Sequence, residues 1–259
     1  MLSIRSKQRE ALLGVMHQEY GLQLAHELGE VFREDCEILG DEPVRRAVSL
    51  GLERAEAHGF QCKADVQRYV TLMFLHGSGF DEDPLIPWAA QILHDERLVG
   101  ASVRMQVLHT TSDHYLVQSA GSDGEHYRSA LLRAHQLPYE RLVEAGSGDP
   151  MRDIQHLLYE IYPHGYLTLG RRGLTEAVAL AERVAREHEM EGRESVALLC
   201  VMMLLIGSHF DCDPLHPWAS AALQQAVDPD QKAAVLHRAA IEQLERYRFV
   251  RVLARRAAR

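Results

Sequence analysis

Apolar positions along this chain recur at the spacing of one buried helix face, not at the two-residue spacing of a strand. The nearest approach to strand-like alternation, Tyr115-Leu116-Val117, is flanked by helical pattern. The spacing predicts a helix over 4–17 (Ile4, Leu12, Leu13, Met16) and a second over 20–35 (Leu22, Leu24, Leu28, Val31, Phe32). Leu39-Gly40 interrupts the pattern, and Asp41 reads as the N-cap of a third helix that has Pro43 in its first turn and stops near Gly59. Asp65 to His76 is strongly apolar and ends at Gly77, a residue suited to a left-handed C-cap. Pro87-Trp88 opens a short helix, and a longer one is expected from about Arg97 to Val117. Helical patterns resume at 127–136 and 138–145, before a turn at 146–150. The fold class that these elements predict is all-α.

One stretch occurs twice. Gly77-Ser78-Gly79-Phe80-Asp81-Glu82-Asp83-Pro84-Leu85-Ile86-Pro87-Trp88-Ala89 returns as Gly207-Ser208-His209-Phe210-Asp211-Cys212-Asp213-Pro214-Leu215-His216-Pro217-Trp218-Ala219. The offset is 130 residues, and both tryptophans of the chain lie in the two copies. The same offset pairs His26 with His156, Glu30 with Glu160, Leu39-Gly40 with Leu169-Gly170, His58 with His188, and Val66, Met73 and Leu75 with Val196, Met203 and Leu205. Past the signature the offset becomes 128, where Val107-Leu108-His109 meets Val235-Leu236-His237. Whole helices therefore repeat, and the expectation is a tandem duplication giving two homologous helical-bundle halves. Residues 1–118 form the first unit, and the small polar stretch 119–125 is the linker. Residues 126–259 form the second unit, ending in a basic helix from Arg246 to Arg259.

The signature residues are the candidate site: Phe80, Asp81, Asp83, Pro84 and Trp88, with Phe210, Asp211, Asp213, Pro214 and Trp218. Each has a structural use. Phe80 and Trp88 are apolar anchors under the loop, a short carboxylate before proline accepts backbone N–H bonds, and Pro87 begins a helix without forfeiting a bond. The paired carboxylates also have a functional reading, since two of them two residues apart can hold a hard cation. The second copy adds His209, Cys212 and His216, and a metal-dependent enzyme with a site at His209, Asp211, Asp213 and His216 is the alternative. The first copy has Gly79, Glu82 and Ile86 at those places. The remaining histidines are spread along helices, and His58 and His188 stand where a histidine meets the last carbonyls of a helix. No nucleophile elbow, zinc-protease pair, phosphate loop or dinucleotide fingerprint occurs. The expectation is a protein with no catalytic residue, cofactor or resident metal. Met202-Met203-Leu204-Leu205 reads as core.

A net charge of −9 argues against binding nucleic acid through the whole surface and suits a basic protein partner. Cys36, Cys62, Cys200 and Cys212 form no C-x-x-C pair and read as reduced, mostly buried thiols of a cytoplasmic protein. The polar N-terminus lacks a signal-peptide core, and the longest apolar run, Val196 to Ile206, covers about half a membrane span. Neither membrane insertion nor a small-molecule ligand is expected.

Gly59-Phe60, Asp65-Val66, Leu72-Met73 and the block from Gly77 to Ala89 together resemble small helical proteins of Gram-negative bacteria. Those proteins are encoded beside spike-tip (PAAR-domain) and toxin genes of type VI secretion clusters. The resemblance spans about 35–95 and, more weakly, 165–225, where Glu189-Met190 replaces Gly59-Phe60 and Ser195 replaces Asp65. It assigns no catalytic residue. It implies an accessory cytoplasmic protein that binds a toxin effector or a spike-associated protein, either as adaptor or chaperone or as immunity protein. The duplication departs from the single copy of that pattern. It suggests a pseudo-symmetric unit that does alone what a single-copy relative does as a homodimer.

Overall fold

The computed structural model describes residues 19–143, 148–225 and 228–247. Among them every regular element is a helix, and none is long and apolar enough to cross a membrane. The expected helix at 4–17 and the basic segment beyond Tyr247 lie outside the described residues.

Helix α1 covers 19–31, and α2 is Arg33–Leu39. The chain continues through α3 (Asp41–Ala57), α4 (Lys63–His76), α5 (Trp88–Leu93) and α6 (Ala101–Ala120). Gly121 to Gly124 connect α6 to α7 (Glu125–His135). Helix α7 opens the second half, which continues as α8 (Tyr139–Val143), α9 (Pro150–Ile161), α10 (Pro163–Glu187), α11 (Arg193–Ile206), α12 (Pro217–Gln225) and α13 (Pro229–Tyr247).

The helices expected from Asp65 and from 127 begin two residues earlier, at Lys63 and Glu125, and three further boundaries differ from the sequence reading. The helix expected over 20–35 breaks at Phe32 (φ −112°, ψ 43°), which turns its ring into the core to stack on Phe74 at 5.2 Å. Gly40, not Asp41, is the residue before α3, and no side chain caps that end. Its φ of 78° lets the chain bend between α2 and α3 at a backbone angle that L side chains resist. The long helix near Arg97 begins only at Ala101 and continues to Ala120, through the start of the stretch expected to be linker.

Several positions 130 apart adopt closely similar backbone angles, although Cys62 (φ −77°) and Gly192 (φ 89°) do not. Gly170 (φ 67°, ψ 176°) kinks α10 as Gly40 (φ 78°, ψ 167°) separates α2 from α3. Helices α4 and α11 share both limits at that offset, and they end on Gly77 (φ 99°, ψ 152°) and Gly207 (φ 102°, ψ 155°). After α3 and α10, Phe60 N–H returns to the Ala55 carbonyl and Met190 N–H to Ala185, at 2.9 and 2.8 Å. That 6→1 bond satisfies carbonyls at the helix end. It needs a left-handed residue, which is Gly59 in one half and Glu189 (φ 51°) in the other.

The apolar faces pack into cores that do not follow the chain's own division. Helices α3 to α6 close over Phe60, Tyr69, Met73, Phe80 and Met105, and α1 to α4 close over Leu24, Leu28, Phe32 and Phe74. The second half has one core, in which Met202 and Met203 are buried as their sequence suggested. Leu85 of the first signature lies in the second half's core, and Leu215 of the second signature lies with Leu24 and Phe32 in the first. Each loop thus lends one leucine to the opposite half. Leu85→Ala is expected to cost about 3 kcal/mol of unfolding free energy, the usual toll of an emptied leucine site. Hydrogen exchange in that variant should quicken in α9 to α11 rather than in α3 and α4.

Candidate functional site

The two signature loops face each other. Gly77 and Gly207 end their helices back to back: a Cβ on Gly207 would stand 2.8 Å from the His76 carbonyl oxygen and 3.8 Å from the Cα of Gly77. Only glycine permits that approach and that φ together. It lets the next residue, Ser78 or Ser208, point its backbone N–H across the seam. Ser78 N–H donates to Asp213 Oδ2 at 2.7 Å, and Ser208 N–H donates to Asp83 Oδ2 at 3.0 Å. The other carboxylate oxygens close their own loops, Asp83 Oδ1 on Leu85 N–H at 2.8 Å and Asp213 Oδ1 on Leu215 N–H at 2.7 Å. Asp83 and Asp213 are buried, so these bonds replace water that the carboxylates have lost. Burial pushes the Asp83 carboxyl up, against the pull of the Ser208 and Leu85 N–H groups.

Asp81 and Asp211 do not cap the turn with backbone bonds as the sequence suggested. Asp81 accepts from Tyr69 Oη at 2.7 Å, from His58 Nε2 at 2.9 Å and from the Arg54 guanidinium, which also reaches Glu82 at 3.2 Å. Burial alone would raise the Asp81 carboxyl. The bonds from His58 and Tyr69 and the Arg54 charge outweigh it and hold the group below its ordinary value. The second half keeps only part of this arrangement, with His188 Nε2 on Asp211 at 2.9 Å and Val184 and Leu199 where Arg54 and Tyr69 stand. His58 and His188 therefore serve a carboxylate, not the helix carbonyls. Those carbonyls are taken by cations: Arg104 Nη2 donates to His58 O at 2.9 Å, and Lys232 Nζ to His188 O at 2.5 Å. Arg104 and Lys232 stand 128 residues apart, the offset already visible past the signature.

Phe80 and Phe210 are fully buried, while Trp88 and Trp218 remain partly exposed. The indole N–H of each tryptophan is buried without a hydrogen-bond partner. Trp88 packs edge-on to His76 at 5.5 Å and beside Tyr115 at 5.9 Å. Pro84 and Pro214 hold the turns between the seam carboxylates and the exchanged leucines. Of the four cysteines, all free, Cys62 and Cys212 are exposed, contrary to the mostly buried set expected.

The residues of the alternative metal site point apart. Asp213 is committed to the seam, Asp211 pairs with His188, His209 lies against Gly79 and bonds Ser208 Oγ at 3.0 Å, and His216 is buried beside Trp218. Among the described residues no three His, Cys, Asp or Glu side chains converge as metal ligands would. A cavity of about 100 Å³ lies at the seam, lined by His76, Asp83, Leu85, Tyr115, Tyr162 and Gly207, among others. Burial and then the Asp83 carboxylate push the Tyr115 phenol up, so it stays protonated at neutral pH.

Comparison of the chain with protein-family models, characterised proteins and solved structures finds no match. The site is therefore read from its own geometry. Of the signature residues, Asp83 and Asp213 with Ser78, Ser208, Leu85 and Leu215 bind one half of the chain to the other, whereas Asp81 and Asp211 bond within their own half. The serines of the signature were visible as repeated residues, and Tyr69, Arg54, Arg104 and Lys232 were missed. Two signals were available: His and Asp recur 23 residues apart in both halves, and a cation recurs at the 128 offset.

Gly207→Ala is expected to lose on the order of 3 kcal/mol in chemical denaturation, because strain at positive φ adds to a clash with backbone. Gly124→Ala, also at positive φ (81°) but with nothing within 4 Å, should lose about 1 kcal/mol. Equal losses would remove the seam's close approach as the cause.

Asp81→Asn should cost on the order of 3 kcal/mol at neutral pH, since it strands a buried donor set. The folded pKa of Asp81 lies below the unfolded value, so its contribution is full above the unfolded value of about 4. It is lost as pH falls through the folded value. The gap between wild type and Asp81→Asn should accordingly close in acid, and a gap constant with pH would count against the ionised network.

Proposed function

We propose that the chain is a duplicated, fused pseudo-dimer that serves as a non-enzymatic protein-binding accessory factor. Its partner is an effector toxin or spike-associated protein of a type VI secretion system, and its place is the bacterial cytoplasm. The observation that carries this reading is the reciprocal seam. Asp83 and Asp213 exchange bonds with Ser208 and Ser78 across a pseudo-twofold relation, and Leu85 and Leu215 exchange cores. The repeated signature is thereby accounted for as an assembly device, which leaves the outer helical faces for recognition. The resemblance to spike- and toxin-linked proteins supplies the partner class, and the net charge of −9 suits a basic toxin surface.

Divergence at the seam supports fusion over dimerisation. His209 covers Gly79, and a Cβ there would come within 2.8 Å of its ring. Two copies of either half alone would bring glycine to glycine or imidazole to imidazole at this place. A large residue against a small one fits only when the halves differ.

The expected result of light scattering is a monomer. Tagged protein in the native bacterium should retain a toxin or spike polypeptide at near-stoichiometric yield. Survival of cells expressing that toxin together with this chain would assign the immunity role. A stabilised toxin that still kills would assign the chaperone role. Recovery of neither class of polypeptide would overturn the reading.

A further inference from the structure

The two halves differ most informatively on an outer face. Helix α1, α2 and α3 enclose a groove of about 490 Å³. Its floor is Leu22, Ala25, Gly29, Cys36 and Val44, and Leu22 is 53% exposed. Gly29 lies inside a helix at a position where glycine costs about 1 kcal/mol relative to alanine. No packing demands it, because a Cβ there would meet nothing within 4 Å. The equivalent position 130 residues on is Tyr159, and the equivalent of Cys36 is Tyr166. Those two rings pack edge to face at 5.5 Å. The second half thus fills with its own aromatic pair a place that the first half leaves open.

The segment that carries the groove is acidic on balance, and the groove's rim is mixed. Residues 19–42 carry eight carboxylates against one arginine, so this segment holds most of the chain's net negative charge. Glu30, Glu37 and Asp41 stand on the rim with His26, Arg33 and Arg45, and Arg45 already meets Glu42 at 3.7 Å. A partner of complementary chemistry is basic, with one flat apolar side chain. The Tyr159–Tyr166 pair displays the shape of that side chain.

We propose that the groove between α1, α2 and α3 docks a basic segment of a protein partner, anchored by one aromatic side chain lodged over Gly29. This rests on the protein-binding reading and adds to it the partner's chemistry and the place of contact. Arginine or lysine on either side of the anchor pairs with Glu30, Glu37 and Asp41, while the ring covers Leu22 and Ala25. An open apolar floor with Leu22 exposed, on a segment of net negative charge, can take an aromatic anchor flanked by cations.

The probe is the peptide acetyl-Arg-Arg-Tyr-Arg-Arg-amide, titrated into the full-length protein and followed by amide NMR. Saturable shifts are expected at Gly29, Ala25 and Cys36. Binding should weaken at least about tenfold when the tyrosine becomes alanine or the arginines become glutamates. Gly29→Tyr, which supplies the anchor in place, should abolish the shifts, whereas Gly29→Ala should retain them. The triple variant Glu30→Gln, Glu37→Gln, Asp41→Asn reads the charge contribution without touching the floor and should also weaken binding. Absence of saturable shifts at Gly29, equal binding of the glutamate peptide, or undiminished binding to both Gly29→Tyr and the triple variant would overturn the proposal. A concentration-dependent dimer lost in Gly29→Tyr would identify the occupant as a second copy and likewise overturn it. Toxin capture that survives Gly29→Tyr removes the groove and leaves the accessory function standing. Peptide binding by a protein that captures no toxin or spike polypeptide removes that function and leaves the groove.

Discussion

Two buried carboxylates, each answered by a backbone N–H from the opposite half, are the constraint on which this molecule depends. Asp83 and Asp213 can leave water only because Ser208 and Ser78 present donors at hydrogen-bond distance. Those donors arrive only because α4 and α11 end on glycines that touch. Glycine, serine and aspartate in the signature are thus one device: the first permits approach, the second supplies the donor and the third accepts it. Proline and leucine complete it by turning the chain so that Leu85 and Leu215 enter each other's cores.

Around that shared device the halves are unlike. The first half surrounds Asp81 with Tyr69, His58 and Arg54, whereas the second keeps the histidine and fills the remaining space with Val184 and Leu199. Gly79 yields to His209 on one face, and Tyr159 replaces Gly29 on another. Many such differences leave the backbone alone: even Glu189 accepts the left-handed angle that Gly59 adopts freely, whereas Gly192 departs from the extended angle of Cys62. The differing side chains also make the two outer surfaces chemically distinct.

Much of the helical frame was legible in the chain because periodicity and terminal glycines are local signals. Gly77 and Gly40 mark their helix ends without reference to anything distant. The break at Phe32 was not legible, since Leu28, Val31 and Phe32 continue a helical stripe and only the stacking on Phe74 reveals the turn. The candidate residues were found through repetition, but their role was hidden for a different reason. An aspartate before proline looks like a local cap, and nothing nearby in sequence says that its second oxygen bonds a serine 125 residues away. The His58–Asp81 pair lay between these cases, because equal spacing in both halves announced it although the helix-end position suggested another use.

The connection at Gly121 to Gly124 gives the seam a further property. Holding two complementary surfaces on one chain raises their effective concentration to the millimolar range or above. Closure within the chain then outcompetes pairing between chains at ordinary protein levels. The same surfaces carry no record of which chain they came from, so the short turn alone decides between a closed monomer and a pair of molecules that trade halves. Between those two outcomes the interface is the same, and the choice falls to the four connecting residues.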